Sequence, residues 1–215
     1  MPLRLAFLKP MLADRFEAAG SASGHYFFQD LWAARKIFAV RPSRHVDVGS
    51  RIDGFVSHLL TFMPVEVLDV RPLSSSIAGL TFLQEDATEL NRIADGSLPS
   101  VSSLHAVEHF GLGRYGDPVN PSAAALAMKN LARVLAPGGR LYFAVPVGVE
   151  RVEFNAHRVF DPRTVLREFQ TLDLVSFSIV DDAGNYLEGV DPAKYSGARF
   201  SCGLFEFTRA GQQTT

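Results

Sequence analysis

From residue 44 to near the C-terminus, short apolar runs alternate with segments of helical periodicity. Runs at 46–48, 65–70, 80–83, 101–105, 140–145, 172–180 and 203–208 predict seven strands. Helical spacing covers 55–62, a short stretch near 88–93, 123–135 and 162–169. Asn120 reads as an N-cap with Pro121 at the first helical position, and Pro137-Gly138-Gly139 stops that helix. Asp161-Pro162 caps the last one. The run 140–145 is almost continuously apolar, as a buried parallel strand requires. In 203–208, Leu204, Glu206 and Thr208 alternate with Phe205 and Phe207, which predicts a less uniformly buried strand. No helical pattern separates the last two strands, so they are expected to pair antiparallel.

Residues 1–43 read as a helical extension in which Phe28, Leu31, Trp32 and Ile37 fall at helical spacing. Two roles fit it, a helix on the sheet edge or a lid over a ligand. The expected fold class is α/β: a Rossmann-like, doubly wound, seven-stranded sheet, mostly parallel with an antiparallel last strand. Residues 44–215 form its single structural unit.

Composition narrows the class. A chain of 215 residues, 47% apolar and 20% charged, suits one soluble globular domain. A net charge of −2 gives no electrostatic case for nucleic acid. The single cysteine, Cys202, cannot make an internal disulfide, no Cys/His spacing matches a zinc motif, and Cys202 is read as a small core residue. No apolar run approaches the ~20 residues of a membrane span. Lys9, Pro10 and Asp14 interrupt the apolar start, so a cytoplasmic location is expected.

The chemistry concentrates in His45-Val46-Asp47-Val48-Gly49-Ser50-Arg51-Ile52-Asp53-Gly54. A strand ends in an acid, a glycine-bounded turn comes next, and a helix begins, the way a parallel sheet builds a nucleotide site. Gly49 and Gly54 keep the outer glycines of G-x-G-x-x-G, but Arg51 occupies the middle place. A side chain there obstructs the close approach a pyrophosphate needs, which weighs against an NAD-dependent oxidoreductase. S-adenosylmethionine (SAM) has no pyrophosphate. Its zwitterionic end could use Asp47 for the ammonium and Arg51 for the carboxylate; Arg51 could equally hold an anionic group on the substrate. Asp69, ending the second strand roughly 20 residues on, is placed to accept from two ribose hydroxyls. Asp86, with Ala87 beside it, could accept from an adenine amino group or cap the short helix beginning near Thr88.

In order and spacing these residues resemble the class I SAM-dependent methyltransferase superfamily over about 44–209. Asp47-Val48-Gly49 resembles its first motif, Val67-Leu68-Asp69 the acidic end of its second strand, and Glu85-Asp86-Ala87 its adenine turn. Leu104-His105-Ala106-Val107-Glu108-His109 is similar to the segment after its fourth strand, and Arg133 to Leu141 to its passage into strand five. Arg51 and Asp53 stand where that superfamily usually has glycines. The combination resembles a bacterial branch of methyltransferase-like proteins associated with surface-polysaccharide genes. That resemblance implies SAM as cofactor, S-adenosylhomocysteine as product, and a small molecule or glycan precursor as acceptor, methylated at oxygen rather than nitrogen. A non-catalytic SAM-binding or interaction module is the alternative.

Transfer from a sulfonium needs an aligned nucleophile and a base for its proton. His109 after the fourth strand and His157 after the fifth are the candidate bases, with Glu108 beside the first. His105 lies within the strand pattern and is read as structural. Arg114, Tyr115 and Asp117, in a loop rich in Gly111, Gly113 and Gly116, and Arg158 are the candidate acceptor-binding residues.

Overall fold

The computed structural model describes residues 4–211. The predicted strands are β1 (Val46–Val48), β2 (Val65–Asp69), β3 (Leu80–Gln84), β4 (Leu98–Leu104), β5 (Leu135–Val147), β8 (Asp173–Val180) and β10 (Ser201–Thr208). Three strands had no clear signal: β6 (Arg151–Glu153) and β7 (His157–Val159), which form a separate ribbon, and β9 (Tyr186–Glu188). The main sheet therefore has eight strands rather than seven, in the order β3-β2-β1-β4-β5-β10-β8-β9. β1 to β5 pair in parallel, and β10 inserts antiparallel between β5 and β8. β9 extends the edge through a hairpin over Asp181–Asn185, where Asp181 accepts from the Ala183 and Asn185 amides.

Among the described residues the α-helices are α1 (His25–Val40), α2 (Ser57–Leu59), α3 (Ala123–Val134) and α4 (Pro162–Glu168). Strand side chains alternate between two cores. Leu141, Phe143, Phe205 and Phe207 pack with Met128 and Leu131 of α3 and Val165 of α4. Tyr142, Ala144 and Leu204 pack on the opposite face with Trp32 and Ile37 of α1 and Leu59 of α2. So α1 lies across the middle of a sheet face, against β4 and β10, not on the sheet edge. Ahead of it, residues 4–24 contain two short 3₁₀ turns with no buried side chain.

Three local readings change. β10 is buried nearly throughout, because Glu206 is held by Lys36 of α1 at 2.7 Å and hydrogen-bonded by Ser176 at 2.8 Å. The stretch 88–93 is a run of turns, not a helix. Side chains of α3 take its carbonyls instead: Asn130 donates to Thr88, and Arg133 to Leu90 and Ile93. The segment after the first turn is a π-helical turn, Ile52–Val56, followed only by short α2. Asn120 lies two residues ahead of the N-cap, Ser122, and its Oδ1 accepts from the Ser122 amide. Asp161 caps α4 through the Arg163 amide.

Strand order reverses between β1, which continues to β2, and its other neighbour β4. In a doubly wound sheet the crevice opens at the carboxyl ends of those two strands. Gly49 and His105 are the next residues beyond them.

Candidate active site

A cleft of about 460 Å³ opens at that switch point. Gly49 lies in its wall at φ +76°, a region costly for residues with a Cβ. An added Cβ would meet the Ala106 Cβ at 2.9 Å, so the turn is a cradle only glycine leaves open. Asp47 lies beneath the turn and outside the cleft lining. It accepts from the Ser50 amide at 3.0 Å, Ser50 Oγ at 2.6 Å and Ser102 Oγ at 2.5 Å. Burial raises it to about 6, against those hydrogen bonds. This corrects its assignment to a ligand ammonium: the carboxylate braces the turn. Gly54 also faces away from the cleft, where a Cβ would stand 2.6 Å from Asp30 Oδ2 of α1. It is a packing glycine. Arg51 reaches the cleft but pairs with Asp53 at 3.0 Å, with its guanidinium 5.2 Å from the Tyr26 ring.

Asp69, Asp86 and Ala87 line the same half. Asp69 is held by Arg71, which donates from its amide at 2.8 Å, Nε at 2.9 Å and Nη2 at 2.5 Å. The Arg71 guanidinium lies 4.7 Å over the Tyr115 ring. Asp86 Oδ1 accepts from the Thr88 amide at 2.8 Å, capping a turn while its residue stays in the cleft wall.

The half beyond β4 is built differently. His105 has φ +48° and lies in the cleft wall, one residue past β4, which ends at Leu104 and not within the expected run to 105. Burial, then neighbouring His25, His109 and His157, lower it to about 3. Glu108 is 1% exposed, and neither carboxylate oxygen has a hydrogen-bond partner. Burial pushes it up to about 8, so it stays neutral at pH 7. His109 lines the cleft with Nδ1 2.7 Å from the Ala156 carbonyl. A carbonyl only accepts, so Nδ1 carries the proton and Nε2 is a free acceptor, 3.7 Å from Glu108 Oε1. Burial holds His109 down at about 4, and hence neutral.

The remaining candidates divide. Tyr115 lines the cleft and Arg114 does not; Arg114 donates to the Ala156 carbonyl at 2.8 Å. Asp117 is in the lining, but its carboxylate is taken by the amides of Gly111 and Tyr115, so it organises the glycine loop. His157 lies on the β6–β7 ribbon outside the lining, 3.3 Å from Glu153. Arg158 is buried and donates to the Phe110 carbonyl at 2.6 Å. The ribbon after β5 folds onto the segment after β4: Arg158 fastens the two, and His157 stays within the ribbon beside Glu153 and the Phe200 ring. Tyr26, from α1, lines the cleft 5.3 Å from the His105 ring. Only the fold brings it there.

This strand order and cleft define the class I SAM-dependent methyltransferase fold, and comparisons with solved structures agree. The chain matches the N-methyltransferase NodS from Bradyrhizobium japonicum WM9, in complex with S-adenosylhomocysteine, with a TM-score of 0.56 at 15% identity, over 86% of this chain and 87% of that one. It matches the Burkholderia thailandensis 1,6-didemethyltoxoflavin-N1-methyltransferase, also with S-adenosylhomocysteine, at 0.56 and 14%, over 85% and 78%. The [4+2]-cyclase SpnF matches at 0.59 and 13%, over 83% and 81%. No curated protein sequence matches the chain. By its sequence the chain belongs to the family described as "Caenorhabditis protein of unknown function, DUF268", whose model matches residues 74–186, just over half of it.

Proposed function

We propose that this protein is a SAM-dependent methyltransferase that methylates a hydroxyl of a small molecule or glycan precursor. The observation that carries the reading is the division of one cleft. Gly49, Asp69, Asp86 and Ala87 line one half, and His105, His109, Tyr26 and Tyr115 the other. The first half has the chemistry SAM needs: an open glycine cradle, a carboxylate at the end of β2 for ribose hydroxyls, and a carboxylate beside a small apolar residue for adenine. When bound, SAM supplies a methyl group already activated on its sulfonium. The chain then has to hold the acceptor hydroxyl and take its proton.

His109 is the base. Its Nε2 is unprotonated and its ring is fixed by the Ala156 carbonyl. An imidazolium formed there would lie beside Glu108, whose ionised form it would stabilise. Tyr115, with Arg71 over its ring, walls the acceptor half, and Arg51 gives a cation in the lining. Residues 1–43 extend the unit 44–215 and add Tyr26 to the cleft. Among the described residues no helix is long and apolar enough to cross a membrane, and the reading takes the protein as cytoplasmic.

The closed Asp69–Arg71 pair favours a second reading, a binding or interaction module that no longer transfers methyl groups. Native mass spectrometry for retained SAM or S-adenosylhomocysteine, followed by labelled methyl transfer to hydroxyl-bearing glycan precursors, separates the two. Transfer that disappears in His109→Ala supports the enzyme. Tight S-adenosylhomocysteine binding without turnover supports the module.

A further inference from the structure

Behind the cleft wall at His105, three residues from distant parts of the chain meet: His25 at the start of α1, His105 just past β4, and Cys202 in β10. One ligand atom from each lies within 4.8 Å of the others. We propose that this cluster is a binding site for a thiophilic cation, with zinc the natural occupant, and that its fourth coordination position opens to the cleft.

The donor set is the first argument. Two imidazoles and a thiol make a soft-to-borderline site that favours zinc over magnesium or calcium. His25 Nδ1 and His105 Nε2 are 3.3 Å apart, which matches the edge of a tetrahedron with metal–nitrogen bonds of about 2.0–2.1 Å. Cys202 Sγ is 3.9 Å from His105 Nδ1. The two contacts are made by opposite nitrogens of the His105 ring, so an ion shared with His25 through Nε2 requires the Cys202 side chain to turn toward it; the three donor atoms start within 4.8 Å of one another. The His25 ring stacks on Phe200 with centroids 5.4 Å apart, which fixes its plane.

Glu108 supplies the independent observation. It is a fully buried carboxyl with both oxygens unpartnered, close enough for its charge to act on Cys202 and on Tyr26. A dication bound by a thiolate and two neutral imidazoles has a net charge of +1, and ionised Glu108 would balance it. The cation thus accounts for a buried acid whose oxygens have no hydrogen-bond partner. His105 faces the cleft, which puts the open coordination position on the acceptor side.

Binding would displace the thiol proton of Cys202 and the carboxyl proton of Glu108, both to solvent. The test uses the full chain, freed of metal by chelation, titrated with Co²⁺ and with Zn²⁺ alone. The chain has one cysteine, so a thiolate-to-cobalt charge-transfer band can come only from Cys202. The expected result is one equivalent bound, that band with four-coordinate visible bands, and about two protons released per Zn²⁺ at pH 7. Glu108→Gln should lower the release to about one. Cys202→Ser should abolish the band, and His25→Gln, at a half-buried helix start, should weaken Zn²⁺ binding at least about 100-fold, beyond what outer-shell changes cost. No stoichiometric uptake, no charge-transfer band, or affinity unchanged in both His25→Gln and Cys202→Ser would overturn the site. None of these readouts depends on SAM binding.

Discussion

The two halves of the cleft are built by opposite means. On the β1–β3 side, polar groups are satisfied by near neighbours in sequence: Ser50 on Asp47, Arg51 on Asp53, Arg71 on Asp69, Thr88 on Asp86. Beyond β4, contacts run across the chain: His25 to His105, His109 to Ala156, Arg158 to Phe110. The local half leaves the carboxylates of Asp53, Asp69 and Asp86 engaged and at least partly exposed, with Asp47 buried beneath them. The long-range half buries an acid without a partner and keeps three histidines neutral. Local turns suffice to present a cradle for a cofactor, whereas perturbed acid–base groups need a dry enclosure that only tertiary packing makes.

The largest expected break falls on the long-range half. His109→Ala should lower kcat by about 10²–10⁴-fold and leave S-adenosylhomocysteine affinity within a few-fold, measured by steady-state kinetics and calorimetry. The reverse pattern would move the chemistry to the other half. Gly49→Ala tests the cradle: with φ +76° and a 2.9 Å contact to Ala106, it should cost about 1–3 kcal/mol in thermal or denaturant unfolding and weaken cofactor binding.

The pH dependence of stability should follow Glu108. Its folded value, about 8, lies above the ordinary 4.5, so the folded state holds a proton that the unfolded state has released. Its contribution is full below pH 4.5 and is lost as pH rises toward 8. The histidines act oppositely: their lowered values make stability rise with pH up to about 6.5. Stability should peak near pH 6.5 and decline by on the order of 1–2 kcal/mol toward pH 8. Denaturant titrations across that range should show the decline flattened in Glu108→Gln. The smallest effect is expected in the local half. Arg71→Ala releases Asp69 and should tighten S-adenosylhomocysteine binding by several-fold, about 1 kcal/mol. Weaker binding would make Arg71 a ligand contact instead of a lock.

How much was legible in the sequence tracks the same division. The apolar runs of β1 to β5, β8 and β10 identify the sheet because each turns apolar side chains toward a core, those of β3 being only partly buried. The ribbon β6–β7 escapes because Val152 and Phe154 are exposed and carry no periodicity. The turns at 88–93 carry a helical pattern, and only Asn130 and Arg133, some forty residues away, replace the helix bonds. In the site, Gly49, Asp69 and Asp86 could be read because they end strands. The role of Asp47 could not, because its partner Ser102 lies 55 positions on. His25, Tyr26 and Cys202 carry no local mark: α1 and β10 meet at the end of β4 only in the folded sheet.

The central claim, that the local half of the cleft is a SAM site, is tested most directly by calorimetric titration of the purified protein with S-adenosylhomocysteine, alongside Asp69→Ala. The account predicts one equivalent bound and an affinity about 10–100-fold lower in the variant, the loss of charge-assisted hydrogen bonds to ribose. Absence of binding to either SAM or S-adenosylhomocysteine, or saturable NADH binding in their place, would contradict it.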